Sequence, residues 1–403
     1  MTDSFDLPPG QGVLPNQLLE QAVDAGVVDA GAAEIPRENI QPASLDLRLG
    51  EVAYRIQCSF LPANQSVDTR VKDLIIDEID LRGEGVVLET GRPYLIPLKE
   101  TLALPPNVRG KANPKSSTGR ADVFTRVITD GSYRFDEIAA GYHGGLYLEV
   151  VPLSFPVRVR EGLSLNQLRL AVGRVDLSDE ELREFHEETP VLFSSGDPVR
   201  SADLALSSGL FLGLNLRGDK HGRVGYQARA SAPWLDLTRP RSVDPAPYWE
   251  PVKRQDDYRL VLVPKIFYLL MSFEAVCVPP SLAAEMTAYD PTSGELRTHY
   301  AGFFDPGFGY DAKGTFAGST AALEVRAHDV PFMVEHRQRV CKLTFERMLA
   351  EPTQLYGQGI GSNYQRQTET LGKHFRVSGS TARGTRDTKA DEPNLLEPES
   401  WGS

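Results

Sequence analysis

Cysteine is scarce in this sequence: three residues, Cys58, Cys277 and Cys341, in a chain of 403. Their odd number and wide spacing argue against a disulfide framework, and they read as reduced core residues of a cytoplasmic protein. No Cys-x-x-Cys pair and no His-x-Glu followed by paired cysteines occurs. A catalytic zinc of the usual deaminase type therefore has no evident ligands, and no zinc is expected. No apolar run reaches 18 residues, and MTDSFDLPPGQG lacks a charged-then-apolar signal pattern, so neither a membrane span nor an export signal is expected. Excess positive charge is missing as well, the formal net charge being −12. This argues against broad binding of nucleic acid or anionic membrane. Any polyanionic ligand must be held by a local cluster of cations.

What is present is an ordinary globular composition, 41% hydrophobic and 24% charged, in a chain long enough for two domains. Residues 1–13 read as a loose leader. Pro15, the apolar set Leu18, Leu19, Ala22 and Val23, and Gly26 predict a short helix from Pro15 to about Ala25. From Ser44 the period changes to short alternating strands broken by Gly and Pro: SLDLRLG, VLETGRPYLIPL, ETLALPPNVRGKANP and GGLYLEVVPL. Between about Asp176 and Ser208 the chain turns polar and acidic. Ser178 is the expected N-cap of a helix over SDEELREFHEE, with His186 read as a solvated helix residue.

The strand pattern then returns. PYLIPLKETLALPPNVRGKANPKSS lines up with FYLLMSFEAVCVPPSLAAEMTAYDP, matching Tyr94 to Tyr268 and Pro105–Pro106 to Pro279–Pro280 at an offset of 174. LEVVPLSFPVRV lines up with LEVRAHDVPFMV, matching Glu149 to Glu324 and Pro156 to Pro331 at 175. A drift of one residue over so long a stretch is the mark of an internal repeat. LGLNLRG (212–218) is taken to answer SLDLRLG (44–50). The expected organisation is a first β domain over 14–176, a linker with a helix over 177–209, a second β domain over 210–372 and a disordered tail over 373–403.

Two pieces carry chemistry. KSSTGR, Lys115 to Arg120, sets hydroxyls between two fixed cations, a composition suited to phosphate oxygens. By itself such a run is more often a polar turn. Glu149, in GLYLEV, and its mate Glu324 each place one carboxylate in an apolar strand, where desolvation would raise its pKa toward that of a general base. The bland alternative is a glutamate facing solvent or paired with an arginine. The repeats differ at both pieces. KSSTGR falls on YDPTSG (289–294), which has lost the Lys, both Ser and the Arg in register. The second repeat carries AGFFDPGFG (301–309), which the first replaces with the looser ITDGSYRFDEIAAGYHGG. Complementary loss suggests one working site that draws on both repeats.

These residues resemble the dCTP deaminase family, within the dUTPase-like fold. The likeness covers most of residues 14–175 and 210–370. KSSTGR is similar to that family's triphosphate motif, with Lys115 in place of the first arginine, and Tyr147-Leu148-Glu149 and Ala322-Leu323-Glu324 are similar to its catalytic Val-Leu-Glu triplet. Asp305-Pro306-Gly307 matches the turn beside its pyrimidine pocket. Tyr356, Asn363-Tyr364 and Gln367 fall at the spacing of its C-terminal flap, with Asn where lysine is expected and Phe303 where the family has an arginine before the turn.

The resemblance implies a mainly β fold of two tandem dUTPase-like distorted β-barrel or jelly-roll domains with a few short helices. It implies hydrolytic deamination of a deoxycytidine nucleotide, with Glu324 as first choice of base and Glu149 as second. Lys115, Ser116, Ser117 and Arg120 would bind the phosphates and Mg2+ would arrive on them. Backbone from Ala301 to Asp305 would read the base, with Ala322 and Leu323 beside it and Tyr356, Asn363, Tyr364 and Gln367 closing the lid. A homo-oligomer, with a homotrimer favoured, would complete it. A dUTP pyrophosphatase, a bifunctional enzyme yielding dUMP and a non-catalytic nucleotide-binding regulator stay open as alternatives.

Overall fold

The computed structural model describes residues 5–287, 296–298 (backbone alone), 302–310, 318–357 and 370–376. Alternating apolar residues make most of it strand. Among the described residues α-helix is confined to Asn16–Asp24, Val67–Val71, Ser116–Gly119 and Asp179–Glu188. In the first repeat, Ser164–Val172 lies between Gly12–Val13 and Val108–Pro114, and also pairs with Leu45–Arg48. A second sheet carries Tyr94–Ala103 against His143–Pro152, which pairs in turn with Val123–Ile128. The second repeat rebuilds both. Arg339–Arg347 lies between Leu210–Gly213 and Leu282–Thr287, while Phe267–Val276 pairs with Ser319–Ala327.

The repeat extends to single hydrogen bonds. The Tyr94 hydroxyl accepts from the Glu89 amide at 3.1 Å, and the Tyr268 hydroxyl accepts from the Val263 amide at 3.1 Å. Two registers differ from the sequence alignment. Leu45 faces Leu168 and Leu210 faces Leu343, so LFLG from Leu210 answers LDLR from Leu45, where the alignment had placed Gly213. Likewise Leu104 donates to the Tyr142 carbonyl at 2.9 Å and Val278 to the Phe308 carbonyl at 2.8 Å. Ala139-Ala140-Gly141 is therefore the counterpart of Asp305-Pro306-Gly307, with Gly141 and Gly307 both at positive φ. The first repeat keeps the turn and has lost its Asp and Pro; it is not the loose loop expected.

Other expectations resolve locally. The helices at Pro15 and Ser178 form, the latter with a full capping box between Ser178 and Glu181. Residues 12–13 are strand rather than leader, because Val13 is fully buried against the Ser164–Val172 strand. His186 is buried, not solvated. Its ring accepts from the Val191 amide at 3.1 Å and meets the Val199 carbonyl at 2.6 Å, pinning the helix to the strand that follows. The segment after that helix is part of the second repeat, since Leu192–Ser194 adds to its sheet. Cys277 and Cys341 are buried, whereas Cys58 is exposed. The first four residues of the expected tail are ordered: Phe375 packs on Tyr248 and Trp249.

The repeats are not independent bodies. The core of the first repeat contains Tyr226, Leu235, Trp249, Phe267 and Phe375 of the second, and Leu235–Asp236 adds in parallel to Val157–Val159. Separating the repeats would expose these aromatics to water. Thermal unfolding is therefore expected as a single calorimetric transition. Two resolved transitions, one per repeat, would contradict this packing.

Candidate active site

KSSTGR folds as one helical turn, with the Thr118 and Gly119 amides donating to the Lys115 carbonyl and the Thr118 hydroxyl donating to the Leu165 carbonyl at 2.7 Å. Ser116 is exposed, Ser117 and Arg120 are buried, and Lys115 is half-buried in an ion pair with Asp46. Ser116 is thus the exposed hydroxyl residue of the loop, while its threonine is spent on the fold.

Glu324 comes to this loop from the other repeat. Along Ser319–Ala327 the odd residues, Leu323 among them, point into the second core, so Thr320, Ala322, Glu324 and Arg326 share the opposite face. That face lies on residues 119–122 of the first repeat. A Cβ on Gly119 would stand 2.7 Å from both carboxyl oxygens of Glu324, an approach only glycine permits. Two residues along, Arg326 ion-pairs with the fully buried Asp122, which also accepts from the Ser154 hydroxyl at 2.5 Å. Burial pushes the Glu324 carboxyl from 4.5 up to about 8, with Arg120 pulling it down and Asp122 pushing it further up.

Glu149 holds the same strand position in the first repeat and has a different fate. It is 1% exposed and accepts from Arg126 at 2.6 Å, while Arg126 stacks 3.8 Å from the centre of the Phe135 ring. The arginine pairing expected as the bland reading is present at Glu149, and the raised pKa is at Glu324.

The Asp305 turn also closes onto the first repeat. Its carboxylate accepts from Arg169 at 2.9 Å and from the Ser44 hydroxyl at 3.2 Å. Burial raises the Asp305 pKa while Arg169 opposes the rise. Gln167 donates to both Ser44 and Asp46, so a polar chain runs from Asp305 through Ser44, Gln167 and Asp46 to Lys115. Tyr356 sits on this turn, its amide donating to the Pro306 carbonyl at 2.8 Å and its ring 5.9 Å from that of Phe308. Ala301, Asn363, Tyr364, Gln367 and YDPTSG lie outside the described residues.

Sequence reasoning missed three contributors. Asp122 and Arg326 lock the Glu324 strand to the loop. Lys373 arrives with the segment that covers the loop, where Arg120 donates to the Thr370 carbonyl at 3.3 Å. Burial, and after it the Lys115 ammonium, hold the Lys373 pKa below the usual lysine value. The available signal was the apolar spacing of Leu371 and Phe375, which marks a packed segment rather than a tail.

Comparison with known proteins agrees with this arrangement. Residues 10–174 match the N-terminal domain model of 2'-deoxycytidine 5'-triphosphate deaminase, and residues 178–375 match its C-terminal domain model. The crystal structure of 2'-deoxycytidine 5'-triphosphate deaminase from Agrobacterium tumefaciens is 42% identical, with a TM-score of 0.81 over 88% of this chain and 100% of that one. The chain belongs to the dCTP deaminase family. Among curated relatives, the dCTP deaminase of Natronomonas pharaonis is 28% identical over 162 residues, 39% of this chain and 78% of its own. The dUMP-forming dCTP deaminase of Methanosphaerula palustris is 30% identical over 131 residues, 32% of this chain and 65% of its own.

The charge balance at Glu324 in this family member can be checked directly. Arg120→Met removes the cation that pulls the carboxyl down, so the Glu324 pKa is expected to rise further above about 8 in an NMR titration. A fall would mean that Arg120 does not face this carboxyl.

Proposed function

We propose that this protein hydrolyses dCTP to dUTP and ammonia, with Glu324 activating the water. The observation that carries this reading is the protonatable Glu324 carboxyl packed on Gly119, inside a loop of two cations and two hydroxyls. As a carboxylate, Glu324 takes a proton from the water attacking C4 and passes it to N3. It then carries the remaining hydroxyl proton to the exocyclic amine. The amine leaves as ammonia while the C4 carbonyl forms. A group with a pKa near neutrality can serve both transfers. Lys115, Ser116, Ser117 and Arg120 hold the triphosphate, whose charge these cations and hydroxyls complement; Mg2+ would be carried in on the triphosphate and would offset part of that charge. Backbone from Ala301 to Asp305 reads the ring, and Tyr356, Asn363, Tyr364 and Gln367 close over it. We assign each repeat to a dUTPase-like distorted barrel, the assembly to a homotrimer and the compartment to the cytoplasm.

The decisive experiment follows ammonia and diphosphate separately on dCTP, dCMP and dUTP. Ammonia from dCTP is expected, falling at least about a thousandfold in Glu324→Gln while calorimetric binding of dCTP persists. Unchanged ammonia release in that variant would sink the mechanism, and binding with no ammonia from the natural chain would favour a regulator. Diphosphate from dCTP would identify a bifunctional enzyme, a reading favoured by relatives whose names specify dUMP formation.

The raised pKa also fixes the sign of two pH effects. kcat/KM of the free enzyme should climb with pH toward about 8, as the base loses its proton. Native Glu324 keeps a proton that the unfolded chain releases near 4.5, so its contribution to stability is present below that pH and falls as pH rises to about 8. Glu324→Gln should therefore gain thermal stability over the natural chain at pH 8 relative to pH 4. A constant difference across that range would contradict the assignment.

A further inference from the structure

The turn assigned above to the base is held by the opposite repeat. Arg169, on the Ser164–Val172 strand, is 2% exposed. Its guanidinium donates to Asp305 at 2.9 Å, to Glu346 at 2.5 Å and to the Ala284 carbonyl at 3.2 Å, and lies 4.0 Å from the centre of the Phe303 ring. All four partners belong to the second repeat. A planar fork of donors with a stacking face satisfies them at once; a lysine would not. The counterpart position in the second repeat is Thr344, so the device exists once per chain.

Two of these partners flank the ring-reading backbone. Gly302–Phe304 is the last strand of its sheet, paired with Leu282–Thr287 on one side. Its outer amides and carbonyls have no strand partner among the described residues, which makes them the groups open to the edge of a pyrimidine. Arg169 grips this strand at Phe303 and again just beyond its end at Asp305. Cytosine presents an amine donor and an N3 acceptor along that edge, whereas uracil presents a carbonyl acceptor and an N3 donor. A rigid backbone edge accepts one order and leaves its polar groups unpaired against the other; a loose edge adapts to both.

We propose that Arg169 is a positioning residue for base specificity: by fixing the strand Gly302–Phe304 and the Asp305 turn from across the repeat interface, it makes the site favour cytosine over uracil. This rests on the proposed function. Glu324→Gln serves as the parent, so that dCTP and dUTP affinities can be compared by calorimetry without turnover. Adding Arg169→Met is expected to lower the dCTP-to-dUTP affinity ratio about tenfold. Glu346→Gln is the control for a merely structural role. It weakens one Arg169 bond without touching Asp305, so it should lower Tm yet leave the ratio within about twofold. A parental ratio in Arg169→Met, or an equal loss in Glu346→Gln, overturns the proposal. If Arg169→Met does not fold, Arg169→Lys keeps the charge without the fork, and a parental ratio there overturns it equally. A parent that binds neither nucleotide sinks the deaminase reading and this inference together. A selective parent with an unselective role for Arg169 sinks this inference alone.

Discussion

The contact across the repeat interface in which the bare α-carbon of Gly119 meets the carboxyl of Glu324 constrains the rest of the site. Water is excluded from one side of the acid, which raises its pKa without a nearby anion having to do most of the work. The loop must turn tightly enough to present glycine there, and its flanking residues then fall where they are needed. Arg120 moderates the acid, and Asp122 takes the ion pair from Arg326 that holds the strand in place. Neither repeat can supply this geometry alone.

Glu149 and Glu324 hold the same place in their repeats and meet different surroundings. Both occupy the same strand position beside an equivalent partner strand, facing Leu95 and Leu269. Arg126 pairs with Glu149 within its own sheet and is itself stacked between aromatic rings. Glu324 instead meets glycine backbone and a balance of one cation and one anion. Duplication made two acids available, and their surroundings differ: an arginine in the same sheet for Glu149, and burial against the other repeat for Glu324.

The interface also links the two ends of the proposed substrate. Lys115 is paired with Asp46, Asp46 shares Gln167 with Ser44, and Ser44 and Arg169 hold Asp305. Another ion pair joins Lys111 to its own repeat-mate, Glu285, at 2.5 Å. Buried pairs of this kind add little net stability, but they fix register, because each charge is costly away from its partner. The repeats are therefore held at one relative position, which a site shared between them requires.

Much of this was legible in the chain of residues. Strand alternation, the offset of 174 to 175, the caps at Pro15 and Ser178 and the two chemical motifs depend on neighbours in sequence, and local rules recover them. Register failed where an alternating pattern fits equally well after a shift, as at Leu210, and where a turn had lost its diagnostic residues, as at Ala139-Ala140-Gly141. His186 and Phe375 were misread because polar surroundings in sequence do not reveal a packing partner far along the chain. By itself, then, the sequence determined that there are two β repeats, one with a phosphate-type loop and one with an intact Asp-Pro-Gly turn. Only the tertiary structure decided that the loop of the first lies on the acid of the second, and that Arg169 crosses between them. Desolvation and ion pairing depend on distances through space, which no periodicity along the chain encodes.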